Sequence, residues 1–128
     1  MFKSLYAICL LVDNHEKSLA FYKDTLGLEV NSQDSKYTDF KLGEVLLAIF
    51  QKDEATAMFS KTHMHSGGGA VIAFPVEDVE KTCAELKLKG IEIFEGPKQT
   101  PWGQEVAYFK DPDHNILEIT EVGSAEVA

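Results

Sequence analysis

From Leu5 to Val12 the chain is apolar at every position but for the Tyr6 hydroxyl, which predicts a strand buried on both faces. Asp13 and Asn14 break the run, and either side chain suits a helix N-cap. Leu19, Tyr22 and Leu26 then recur at helical spacing, with Ala20 and Phe21 widening the stripe and Gly27 as its stop. Leu28 to Asn31 predicts a short strand, and residues 37–42 alternate well enough for another. Gly43-Glu44 marks a tight turn into a further strand, Val45 to Phe50. The first half therefore reads β-α-β-β-β.

Residues 51–69 have no sustained periodicity and end in Ser66-Gly67-Gly68-Gly69, as expected of a connector with one helical turn around Ala55 to Phe59. The second half repeats the plan. Ala70 to Val76 predicts a strand, and Glu77 to Lys89 a helix with Val79, Cys83 and Leu86 on its inner face. Ile91 to Phe94 predicts a short strand, residues 96–103 a loop, and 105–110 and 116–120 two strands joined by the turn at 111–115. A tail at 123–128 is expected to fray.

The two halves are copies. The stretch from Leu10 to Val30 returns, degenerate, as Phe74 to Phe94, an offset of 64 residues. Val12, Glu16, Lys17, Ala20 and Lys23 recur as Val76, Glu80, Lys81, Ala84 and Lys87. Average composition would give on the order of one identity in twelve positions. Asp13, Asn14 and Ser18 become Glu77, Asp78 and Thr82, which keeps the chemistry. The expected fold is α+β, a single domain over 1–128: unit one at about 5–50, a connector at about 51–69, unit two at about 70–121, and the tail.

Composition narrows the function. The 128 residues carry a net charge of −9, and no basic stripe is present to neutralise phosphates, so nucleic acid is not the expected partner. No apolar run approaches the roughly 20 residues needed to cross a bilayer. The opening residues lack a signal-peptide layout, and the expectation is a cytoplasmic protein without a membrane partner. Cys9 and Cys83, the only cysteines, are expected to be buried free thiols.

The opening Leu10-Leu11-Val12-Asp13-Asn14 and the helix Ser18-Leu19-Ala20-Phe21-Tyr22 ending Leu26-Gly27-Leu28 carry a resemblance. So do Pro101-Trp102-Gly103-Gln104-Glu105, Phe109-Lys110-Asp111-Pro112-Asp113 and Asn115-Ile116-Leu117-Glu118-Ile119. Together they resemble the vicinal oxygen chelate superfamily, also called the glyoxalase/bleomycin resistance/dioxygenase superfamily. The resemblance covers about the whole chain. It implies two tandem β-α-β-β-β units forming a partly closed barrel around a cleft, and a homodimer.

In the metal-dependent enzymes of that superfamily, one divalent ion takes its ligands from the first and last strand of each unit. Carried over position by position, the resemblance places those ligands at Ala7, Ala48, Val71 and Glu118. Ala and Val have no atom to donate, and a single carboxylate does not hold a divalent ion against water. No metal and no other cofactor is therefore expected, and a divalent metal enters only if the chain is nonetheless a metal enzyme.

Alternation puts Ala7, Cys9, Ala48, Phe50, Val71 and Ala73 on one cleft face with Glu118, leaving Ile8, Leu10, Leu47, Ile49, Ile72, Phe74, Leu117 and Ile119 to face the helices. A mostly apolar cleft with one acid has the makeup of a small-molecule site. Glu118 would orient a donor or cation of the ligand, act as an acid or base, or stand as a solvated remnant. Trp102, the only tryptophan, is a candidate to stack on a ligand, or else to plug the barrel end or a dimer interface. Tyr108, Phe40 and Tyr37 are further candidates to line the cleft. His63 and His65 flank Met64 in the connector and read as solvated, His15 as exposed, and His114 stands where a residue of positive φ is usual.

The leading expectation is a metal-free, dimeric binder of an aromatic or cationic small molecule, similar to the bleomycin-resistance-like branch. Three alternatives stay open: a metal-dependent glyoxalase-like lyase or dioxygenase, a metal-independent enzyme using Glu118 as acid/base, and a scaffold with an inert cleft.

Overall fold

The structure, a computed structural model, describes residues 1–65 and 67–123. The expected tail from residue 124 onward, and Ser66 of the connector, lie outside the described residues. The chain divides into two compact units, the first ending at His65 and the second occupying the remainder. The predicted α+β class and the two tandem β-α-β-β-β units are what is seen.

In the first unit β1 (Ala7–Val12) leads through Asn14 into α1 (His15–Leu19). Asn14 holds an extended backbone, and its side-chain oxygen accepts from Lys17 N at 3.0 Å. The helix continues in π form over Ala20–Thr25, and Gly27 leaves it at φ +73°. Strands β2 (Val30–Gln33), β3 (Tyr37–Leu42) and β4 (Val45–Gln51) follow, then a short helix α2 (Lys52–Ala55) and a 3-10 turn at Lys61–His63. The sheet order is β1-β4-β3-β2, with β1 parallel to β4.

The second unit repeats this with β5 (Val71–Val76), α3 (Val79–Leu88), β6 (Glu95–Gln99), β7 (Glu105–Lys110) and β8 (Ile116–Glu121), in the order β5-β8-β7-β6. Asp78 caps α3 as Asn14 caps α1, accepting from Lys81 N at 3.0 Å. The caps and their partners keep the 64-residue offset.

Each unit buries one sheet face against its helix. In the first, Val12, Thr38, Phe40, Leu47 and Ile49 are buried with Phe21, Tyr22 and Ser18. In the second, Ala107, Phe109, Leu117 and Ile119 are buried with Val79, Cys83 and Leu86. The turn between β7 and β8 is tied by Asp111, whose Oδ1 accepts from Asp113 N and Asn115 N and whose Oδ2 accepts from Asn115 Nδ2. His114 takes φ +65° there, as the position demands.

Four expectations are corrected. The strand β1 is not buried on both faces: it is a sheet edge, Leu5 and Tyr6 precede it exposed, and Ile8 is 37% exposed. Cys9, on that edge, is exposed, while Cys83 is buried. His15 is buried at 2% exposure, because the first turn of α1 lies over β3 and β4. Its Nε2 meets Thr38 Oγ1 at 2.9 Å and its backbone N–H donates to Gln51 Oε1 at 2.9 Å. The second strand of the second unit lies at Glu95–Gln99, just after the expected Ile91 to Phe94 and mostly within the expected loop.

Candidate functional site

The face of each sheet turned away from its helix is the candidate site surface. In the first unit, register alone sets its composition. Cys9, Ala48 and Asp39 stand side by side across β1, β4 and β3, and Leu11, Phe50 and Tyr37 form the adjacent row. Tyr37 and Phe50 are half-buried, and their rings meet edge-to-face with centroids 5.8 Å apart.

Phe40 does not belong to this face. It is fully buried on the helix side, 6.2 Å from the Tyr22 ring between centroids. Alternation requires this, since Phe40 and Tyr37 are an odd number of residues apart on one strand and point to opposite sides.

Alternation instead assigns Asp39 to the site face, a residue the sequence reading passed over. It is only 5% exposed. Its Oδ1 accepts from Asn31 Nδ2 at 2.9 Å and Ser32 N at 3.0 Å, and its Oδ2 accepts from the Tyr37 hydroxyl at 2.8 Å. Burial alone would raise this carboxyl, but the hydrogen bonds from Asn31, Tyr37 and Ser32 outweigh it and hold the pKa below the usual value. Asp39 is therefore ionised at neutral pH. Tyr37 is pushed up to about 12, first by burial, then by its bond to Asp39 and the Asp39 charge, with smaller effects of Cys9 and Tyr6. Partial desolvation on the exposed edge also raises the Cys9 thiol.

In the second unit, Ala73, Glu118, Tyr108 and Glu95 form one row across β5, β8, β7 and β6. Tyr108 stands opposite Glu118 on the ladder, and that carboxyl raises the phenol, with burial and the charge of Glu95 acting in the same sense. Phe94 lies beside Tyr108, centroids 6.2 Å apart, with Lys110 Nζ 5.2 Å from the Phe94 centroid. Trp102 sits in the β6–β7 turn at 75% exposure. Its indole N–H donates to Gln104 Oε1 at 3.3 Å, and Gln104 Nε2 donates to Glu121 O at 3.1 Å, so these contacts tie the ring to its own turn.

The two faces are related by register. Ala48 and Glu118 hold equivalent places on β4 and β8, each paired with the residue opposite on the preceding strand, Asp39 or Tyr108. Each unit thus sets a carboxyl near a tyrosine, hydrogen-bonded in the first unit and opposite on the ladder in the second. In the second unit the acid is on the last strand. In the first it is one strand over, facing an alanine.

The chemistry follows from which protons are committed. The Tyr37 phenol donates to Asp39, so its oxygen keeps lone pairs for another donor, beside an acid that only accepts. Both faces offer acceptors flanked by aromatic and small apolar side chains. At the four positions that the resemblance assigns to metal ligands, the first unit supplies Ala7 and Ala48 and the second Val71 and Glu118. That donor set does not fit a divalent ion. Among the described residues, no three His, Cys, Asp or Glu side chains are grouped to hold one.

Comparison with known proteins agrees with the fold. The chain is 34% identical over 122 residues to the uncharacterised protein YraH of Bacillus subtilis, covering 90% of this chain and 95% of that one. It is 30% identical over 123 residues to a probable lactoylglutathione lyase of Synechocystis, covering 88% and 91%. Among solved structures, TnmS3, an antibiotic binding protein from Streptomyces, superposes with a TM-score of 0.75 at 22% identity, covering 95% of this chain and 98% of that one. The family model described as the Glyoxalase/Bleomycin resistance protein/Dioxygenase superfamily matches residues 4–119, through both units and both candidate faces, and the chain belongs to that superfamily.

Proposed function

We propose that this protein binds a small organic molecule, aromatic and carrying hydrogen-bond donors or positive charge, without a metal ion. The observation that carries the reading is the cross-strand Tyr108–Glu118 pair on the helix-free face of the second unit. Glu118 is the one residue with an atom to donate at the superfamily's four ligand positions, and here Tyr108 stands opposite it on the ladder. A carboxylate so placed orients the N–H or cationic group of a ligand, while Tyr108, Ala73 and Pro75 offer apolar contact around it.

The superfamily includes both proteins named as lyases and proteins named as antibiotic binders. The side chains of this chain favour the second role, because Ala7, Ala48 and Val71 cannot complete a Lewis-acid centre. A homodimer belongs to the same proposal: the exposed apolar edge at Leu5, Tyr6 and Ile8 suits cover by a second copy.

The test is calorimetric titration of the purified chain with a panel of aromatic cations, with and without Glu118→Gln. Saturable binding that weakens at least tenfold in the variant supports the proposal. Silence across the panel, together with turnover of a carbonyl substrate that requires added metal, overturns it.

A further inference from the structure

The first unit carries an anchor of its own. We propose that Asp39, with the Tyr37 and Phe50 rings, forms a subsite for an organic cation on the helix-free face of that unit. The proposal rests on the small-molecule reading and names the charge of the ligand and the residue that selects it.

Asp39 is a buried anion whose hydrogen-bond donors are all neutral: an amide, a backbone N–H and a phenol. The ion pairs seen among the described residues, Lys52–Asp13 and Lys98–Glu95, do not include it. Its two oxygens offer about four acceptor positions. Oδ1 uses two and Oδ2 one, so Oδ2 retains capacity for another donor. A buried charge without a counter-ion attracts a cation more than it attracts another neutral donor.

The surroundings suit such a guest. Tyr37 and Phe50 meet edge-to-face at an interplanar angle of 78°, forming an aromatic corner in the row next to Asp39. A cation against that corner gains from the ring quadrupoles as well as from the carboxylate. Ala48 and Cys9 complete Asp39's own row with small side chains, where the equivalent place in the second unit holds Glu118. The acid is displaced by one strand, and beside it stands Ala48, a small buried side chain, in place of a second carboxyl. One carboxylate among hydrogen-bond donors does not satisfy a metal ion, which requires several oxygen or nitrogen atoms with free lone pairs. A nitrogen cation on an aromatic frame requires only one.

Asp39 also accepts from Asn31 and Ser32 where β2 slips register against β3, so a purely structural role is the competing account. Two probes of one shape separate the two: N-methylquinolinium and its neutral isostere 1-methylnaphthalene. Each is titrated into the full chain at low salt and followed by amide shifts in 15N-labelled protein. The expected result is at least tenfold tighter binding of the cation, with shifts at Asn31, Ser32 and Tyr37. Asp39→Asn should abolish that preference.

If the cation shifts only Tyr108 and Glu118, or if Asp39→Asn keeps the preference, the subsite is refuted while the binding reading stands. If neither probe binds, both fall. Should Asp39→Asn not fold, Tyr37→Phe decides: it keeps the charge and the ring, so retained cation preference with shifts at Asn31 and Ser32 supports the subsite, and lost preference overturns it.

Discussion

Phe40 and Phe50 lie on adjacent paired strands and look alike in sequence, yet they face opposite ways. Truncating each to alanine measures that difference. Phe40 is fully buried and packs toward Tyr22, so Phe40→Ala removes a complete core ring and leaves a cavity. The cost is about 3–5 kcal/mol. Phe50 is half-buried. Full burial of a phenylalanine contributes about 1.5–3 kcal/mol, of which about half applies here. Its edge-to-face contact with Tyr37 adds about 0.5–1.5 kcal/mol. Phe50→Ala should therefore cost about 1.3–3 kcal/mol, leaving a gap of roughly 2 kcal/mol between the middles of the two ranges. Urea unfolding followed by circular dichroism reads both, and the gap should appear as a melting-temperature difference of about 5–10 °C. Binding should move in the opposite sense: Phe50→Ala weakens N-methylquinolinium, while the milder core variant Phe40→Leu leaves its affinity unchanged. Equal losses of stability, or loss of binding in Phe40→Leu alone, would refute the assignment of faces.

Other perturbations probe separate parts of the structure. Nδ1 of His15 is buried without a hydrogen-bond partner among the described residues, while Nε2 meets Thr38. His15→Leu alone strands the buried Thr38 hydroxyl and should cost about 1–3 kcal/mol; adding Thr38→Val should recover most of it, measured as a double-mutant cycle in urea. Burial, with a smaller contribution from Lys36 and opposed by Glu16, lowers the His15 pKa from 6.5. The unfolded chain then binds the proton more readily than the folded one. Stability from this residue is complete above about pH 6.5 and falls as pH drops below it, with a slope of at most about 1.4 kcal/mol per pH unit that His15→Leu removes. For Asp39, whose folded pKa is depressed, the contribution is present above the unfolded value near 3.9 and is lost as pH falls through the folded value. Acid unfolding of Asp39→Asn should lack that step. A Cβ at Gly67 would stand 2.5 Å from Asn115 N, so Gly67→Ala should cost about 1–3 kcal/mol in thermal unfolding, whereas Gly69→Ala, with open space around it, should cost under about 0.5 kcal/mol.

What the residue pattern revealed and what it hid have one physical cause, which is that periodicity records burial. The central strands and α3 sort apolar from polar residues and were legible. The edge strands β2 and β6 bury almost nothing, so they left no alternation to read, and the apolar residues preceding each drew the expected strands toward the N-terminus. His15 was misjudged from its place in a first helical turn. The internal repeat carries the correction, since the 64-residue offset lays His15 on Val79, which is fully buried. Asp39 was hidden because the superfamily's pattern drew attention to Ala48, its partner across the ladder. Its two-residue spacing from Tyr37 was the available signal. The Tyr108–Glu118 pairing joins cross-strand partners ten residues apart and depends on the β7–β8 register, which the Asp111 turn sets.

The central claim is that these faces bind an organic guest without a metal. Its most direct test is isothermal titration of the chelator-treated protein with Mn2+, Ni2+ and Zn2+, on the wild type and on Glu118→Gln. The account predicts no one-equivalent binding at micromolar concentrations that depends on Glu118, since Ala7, Ala48 and Val71 add no ligand to it. One equivalent of metal bound at micromolar affinity by the wild type and lost in Glu118→Gln would contradict it.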